Sequence, residues 1–72
     1  MPARLSQLRR ALESLGVTVV PPRSGSHWKA IQHGKTYTVP AHNGDKTEIS
    51  ETYIRGICRC FDLKIEDLRK LL

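Results

Sequence analysis

Two short stretches hold the residues of this chain best suited to chemistry: Gly25-Ser26-His27, and Val39-Pro40-Ala41-His42-Asn43-Gly44. An imidazole gives or takes a proton in the neutral pH range, so His27 is a candidate general acid or base. Gly25 permits close approach of an anion to the backbone. Arg23 and Lys29 add positive charge on either side of His27. Metal-free cleavage of an RNA backbone requires two things. One is a group that moves a proton at the 2′-hydroxyl or the leaving oxygen. The other is a set of cations or N–H donors aimed at the phosphoryl oxygens. His27 offers the first. Arg23, Lys29 and the backbone N–H groups of Gly25-Ser26 offer the second.

These residues need elements to position them. Ser26 to Gln32 and Lys35 to Val39 read as two strands, and His33-Gly34 between them has the size and composition of a two-residue hairpin turn. Pairing Gln32 with Lys35 sets the register. Ala30 then faces Tyr37 and Trp28 faces Val39, which makes one side apolar. His27, Lys29 and Ile31 face Pro40, Thr38 and Thr36 on the other. His27 and Lys29 are therefore expected on the same, mostly polar face. The Ala41 to Thr47 loop, with Asn43-Gly44 as its turn, then leads the chain toward a helix.

The rest of the chain supplies a core. Leu5, Leu8, Leu12 and Leu15 recur at helical spacing, which predicts a helix from about Ala3 to Leu15 ended by Gly16. Arg4, Arg9 and Arg10 fall off its apolar stripe and are expected on a solvated face. Val17 to Val20 is β-branched and reads as a strand stopped by Pro21-Pro22. Ser50 is a candidate N-cap for a helix from Glu51 to about Phe61, with Ile54, Ile57, Cys58 and Phe61 as its buried stripe. Asp62 to Lys64 breaks the pattern, and Ile65, Leu68, Leu71 and Leu72 predict a short terminal helix. The expected fold is α+β, in the order α-β-β-β-α with a short C-terminal helix. Three antiparallel strands carry the helices on one face, with the first helix and the Glu51 helix packed together over Trp28, Ala30, Tyr37 and Val39.

Seventy-two residues bound what that fold can do. A chain this short buries only about 60% of the surface its unfolded state exposes. One domain over residues 1–72 is expected, without a second domain or a cofactor fold. A net charge of +5 and a pI near 9.7 favour an anionic partner. No apolar run reaches the roughly 18 residues of a membrane span, and the first residues lack the apolar centre of a signal peptide. The expected location is cytoplasmic, with no membrane partner. Cys58 and Cys60 stand two apart on a helix and diverge, so they read as structural thiols rather than a disulfide or a metal site. No metal and no cofactor is expected.

Each candidate also has a plainer reading. On residue chemistry alone Gly-Ser-His reads first as a polar loop ending in a surface histidine, since a tripeptide is a weak motif. Ser26 lacks a carboxylate to orient His27 and is a poor nucleophile candidate. His42 is a possible auxiliary group, or a loop residue that steadies its own turn. His33 belongs to the hairpin turn. Trp28 and Tyr37 could stack on bases, but the register assigns them to the core.

The order and spacing of the motifs resemble the HicA family, mRNA-cleaving toxins of type II toxin–antitoxin pairs. Arg23-Ser24-Gly25-Ser26-His27, Thr38-Val39-Pro40-Ala41-His42-Asn43, the amphipathic Ile49 to Phe61 and the Glu66-Asp67-Leu68 tail carry the resemblance, from about Leu5 to Leu72. Val17 after Gly16, where family members often have an aromatic, departs from the pattern, as do Pro21-Pro22 and the Cys58/Cys60 helix. The resemblance implies a fold like the double-stranded RNA-binding domain. It also implies metal-independent, ribosome-independent cleavage of mRNA, a catalytic histidine at His27, and a HicB-type antitoxin that masks the site. Two other classes suit the same basic domain: a non-catalytic RNA-binding module, and a protein-interaction module whose charge serves an acidic partner.

Overall fold

A computed structural model describes residues 2–72. In chain order the elements are β1 (Ala3–Arg4), α1 (Leu5–Ser14), β2 (Thr18–Val20), β3 (His27–Gln32), β4 (Lys35–Pro40), a 3-10 turn (Gly44–Lys46), β5 (Glu48–Ile49), α2 (Glu51–Cys60) and α3 (Ile65–Leu71). The fold is α+β in the expected α-β-β-β-α order with a short terminal helix. β2, β3 and β4 form a three-stranded antiparallel sheet in that order.

The hairpin carries the expected register throughout: His27 opposite Pro40, Trp28 opposite Val39, Lys29 opposite Thr38, Ala30 opposite Tyr37, Ile31 opposite Thr36 and Gln32 opposite Lys35. His33 and Gly34 both have positive φ, 50° and 79°, as the type I′ turn that matches strand twist requires. On one face Trp28, Ala30 and Val39 are buried, joined by Val19 of β2. Thr18, Val20, His27, Lys29, Ile31, Thr36 and Thr38 are exposed on the other.

Above the buried face, α1 packs on β2 and α2 on β4, while α3 packs against both helices. The terminal helix thus joins the two main helices in one core. Leu5, Leu8, Leu12, Ile54, Ile57 and Leu68 are all fully buried in the resulting core. Only Leu68 does so from α3; Leu71 and Leu72, expected on its stripe, are exposed.

α1 starts two residues later than its leucine spacing suggests. Ala3 and Arg4 instead pair with Ile49 and Glu48 as a second, two-stranded sheet. The Leu5 N–H donates to Thr47 O at 2.8 Å, and the Arg4 N–H to Gln7 Oε1 at 3.2 Å. The strand ties the start of α1 to the segment before α2, satisfying backbone groups that a helix N-terminus leaves open. At the other end the Gly16 and Val17 N–H groups donate to Glu13 O (3.1 Å) and Leu12 O (2.9 Å). This is the Schellman arrangement, and Gly16 takes the left-handed position it needs, at φ 87°. The Gln32 side-chain amide donates to Gly16 O at 3.2 Å, fastening the helix end to the hairpin.

Arg9 departs from the solvated face expected of it. Its guanidinium lies 5.7 Å from the centroid of the Trp28 ring and within 3.5 Å of the Glu13 carboxylate. It therefore caps the rim of the core as a cation–π partner.

Tyr37 is half-buried and lies against α2 at Gly56. A Cβ at Gly56 would run into Tyr37 Oη and stand 2.9 Å from its Cζ. Alanine usually stabilises a helix interior by about 0.5–1 kcal/mol over glycine. Here the displaced ring is expected to reverse the sign, and Gly56→Ala should cost about 1–3 kcal/mol. Urea denaturation reads this, and in a Tyr37→Ala background the same substitution should become stabilising. A gain in the parent would mean that Tyr37 does not occupy this position.

Candidate nucleic-acid interface

Strand parity builds the site. The turn closes on Gln32 and Lys35, so hydrogen-bonded pairs alternate from there, and the Ala41 N–H still donates to Ser26 O at 2.6 Å beyond the strand ends. The pairs His27–Pro40, Lys29–Thr38 and Ile31–Thr36 are consequently the non-hydrogen-bonded ones, whose side chains approach most closely. Pro40, which has no N–H to give, falls where the ladder asks for none. Val20 pairs with Lys29 and Thr18 with Ile31, extending the rows across β2. The result is an open face with His27 at one end, Lys29 beside it and hydroxyls of Thr36 and Thr38 along the edge.

The other candidates occupy the adjoining loop. Pro21-Pro22 ends β2, and Arg23 and Gly25 are exposed. Gly25 has φ 90° and nothing within 4 Å of where a Cβ would be, so its backbone is open to an approaching group. Ser26 is half-buried and has the parity of the core face, opposite Ala41. His27 and Ser26 thus point to different sides, which removes Ser26 from the nucleophile role and leaves its backbone as its contribution. Among the described residues, no hydrogen bond or ion pair engages the side chains of Arg23, His27, Lys29 or His42. By contrast, Arg55 and Arg69 both pair with Glu51. The cations around His27 are therefore available to an anion.

His42 is exposed in the loop after β4 and does not steady its turn. That work falls to the Asn43 N–H, which donates to Thr47 Oγ1 at 2.8 Å, and to the Thr47 N–H, which donates to Gly44 O at 3.1 Å. His42 instead lines a shallow groove with Pro40, Thr47, Glu48, Ser50 and Tyr53. Pro40 belongs both to that groove and to the rung of His27. The sequence reading passed over Tyr53, Thr47 and Glu48. Tyr53 had a signal: it is an aromatic one position off the buried Ile54 stripe, and it is 39% exposed.

Cys58 is buried and Cys60 half-buried, both as free thiols. Burial, and behind it the Glu51 carboxylate, pushes the Cys58 thiol above its ordinary range, which suits an inert core position. Among the described residues, no three His, Cys, Asp or Glu side chains are grouped so as to hold a metal ion. No described helix is long and apolar enough to cross a membrane.

Comparison with family models, curated proteins and solved structures finds no match to this chain, and nothing in it identifies a HicA toxin.

Proposed function

We propose that the chain is a metal-independent, ribosome-independent endoribonuclease of the HicA type, acting on mRNA in the cytoplasm and held in check by a HicB-type antitoxin. One observation carries the reading. Among the described residues, His27 and Lys29 stand side by side, exposed and unengaged, on a sheet face that no helix covers. A domain that only packs has no use for a titrating group there. In the proposed reaction the 2′-oxygen of the substrate attacks the adjacent phosphorus, the 5′-oxygen leaves, and a 2′,3′-cyclic phosphate forms. His27 moves a proton at one of these two oxygens. Lys29, Arg23 and the backbone around Gly25-Ser26 face the phosphoryl oxygens, where negative charge builds in the transition state. His42, one residue beyond the rung that follows Pro40, is the candidate for the second proton transfer.

The test is incubation of the purified protein with RNA in the presence of a chelator. Cleavage should persist, deoxyribose at the scissile position should block it, and the products should carry the cyclic phosphate or its hydrolysis product. Intact RNA bound by the protein would instead favour a non-catalytic RNA-binding module, which the same basic face supports.

Arg23 and Lys29 are assigned to phosphates rather than bases. Neutralising either is expected to weaken RNA binding to a similar extent for different sequences and to flatten the salt dependence by about one unit. Fluorescence titrations at several salt concentrations measure this, and a loss confined to one sequence would assign base reading instead. The antitoxin is expected to cover His27 and Lys29 with an acidic surface. Its association rate should fall with salt, since the attraction is screened beyond about 8 Å at physiological ionic strength.

A further inference from the structure

We infer that the groove lined by Pro40, His42, Thr47, Glu48, Ser50 and Tyr53 holds a nucleobase next to the scissile phosphate. This rests on the proposed RNA-cleaving role of His27. Three features support it. Pro40 faces His27 across the non-hydrogen-bonded rung and is also a wall of the groove, so a nucleotide whose phosphate lies at His27 has its neighbouring base within reach of it. Tyr53 presents a 39%-exposed ring from α2, although the apolar stripe of that helix is already complete without it. Aromatic rings of this kind stack on bases with little regard to sequence.

The third feature is charge. Glu48 lines the groove and, though opposite Arg4 in the β1–β5 ladder, makes no ion pair among the described residues. A free carboxylate repels a phosphate but accepts from the exocyclic amine of adenine, cytosine or guanine. The chain carries +5 overall, with Lys29 and Arg23 on the His27 side. The phosphate therefore belongs at His27 and Lys29, and the base at Tyr53 and Glu48. Uracil, which has no exocyclic amine, is the disfavoured occupant.

The test separates binding from cleavage. A short single-stranded oligoribonucleotide with 2′-O-methyl groups throughout cannot be cleaved through its 2′-oxygens and reports affinity alone. Tyr53→Ala should bind it about 5–150-fold more weakly, the range for one lost base stack, and Tyr53→Phe should bind like wild type. Removing one base at a time should find a position whose loss weakens wild type by a similar factor and leaves Tyr53→Ala unaffected. Uracil at that position should bind wild type less well than the other three bases, and Glu48→Gln should abolish the difference. Wild-type affinity in Tyr53→Ala, or a loss that no single base accounts for, overturns the groove. Cleavage of unmodified RNA by the wild type is read separately. If the wild type cleaves and Tyr53→Ala binds normally, the groove falls and the nuclease stands. Coupling between Tyr53 and one base without cleavage keeps the groove and removes the nuclease. If the wild type binds no RNA, both fall.

Discussion

Replacing His27 with alanine should lower RNA cleavage by about 10²–10⁴-fold, the usual contribution of a general acid or base, while RNA affinity stays within a few-fold of wild type. The site is suited to so selective an effect. The His27 side chain is exposed, makes no hydrogen bond among the described residues and closes no part of the core, so its removal leaves neither a cavity nor an orphaned partner there. The binding charge resides in Lys29, Arg23 and the backbone at Gly25, which the substitution does not touch. Single-turnover cleavage measures the rate, and binding to uncleavable RNA together with thermal unfolding shows that affinity and fold survive. Full activity in a purified His27→Ala protein would move the proton transfer elsewhere, with His42 next in line.

Leu68→Ala should destabilise the fold by about 2–5 kcal/mol. Leu68 is the one fully buried residue of α3, which packs against both α1 and α2, while Ile65 is only half-buried against the same core. Stability runs at roughly 0.05–0.15 kcal/mol per residue, so in a chain of 72 residues that loss removes a large share of the total. Leu71, 47% exposed on the same helix, is the control, and Leu71→Ala should stay within about 0.5 kcal/mol of wild type. Urea denaturation followed by fluorescence of Trp28, the chain's one tryptophan, reads both. Equal effects for the two leucines would mean that α3 is not docked through Leu68.

The two expectations differ in kind because the residues concerned were legible for different reasons. The place of His27 and Lys29 followed from the period of a strand and the length of one turn. Two residues of a type that tolerates positive φ fixed the pairing of Gln32 with Lys35, and every rung outward to His27 and Pro40 then followed without knowledge of the rest of the chain. The leucine and isoleucine spacings of α1 and α2 were legible on the same local terms, as were the ends at Gly16 and Asp62. Long-range packing was not. Ala3-Arg4 looks like the first turn of a helix, because two residues are too few to show a strand period, and their partner Glu48-Ile49 comes from a distant part of the chain. Leu71 and Leu72 fit an apolar stripe, but after α1 and α2 have covered the sheet Leu68 is fully buried beneath them, Ile65 only partly, and the last two leucines stay exposed.

The sequence by itself therefore determined the local quantities: the order of the main helices and of the three-stranded sheet, the hairpin register, the polar face bearing His27 and Lys29, and the net positive charge. Each is set by neighbours a few residues apart, through backbone sterics and side-chain periodicity. Only the tertiary structure decided how distant segments share space. It docked α3 against the two main helices, Arg9 over Trp28, and Tyr37 against Gly56. It also gathered His42, Glu48 and Tyr53 around Pro40, the residue opposite His27. Those arrangements depend on which apolar surfaces remain uncovered once the nearer contacts have formed, a property of the packed chain that no local spacing encodes.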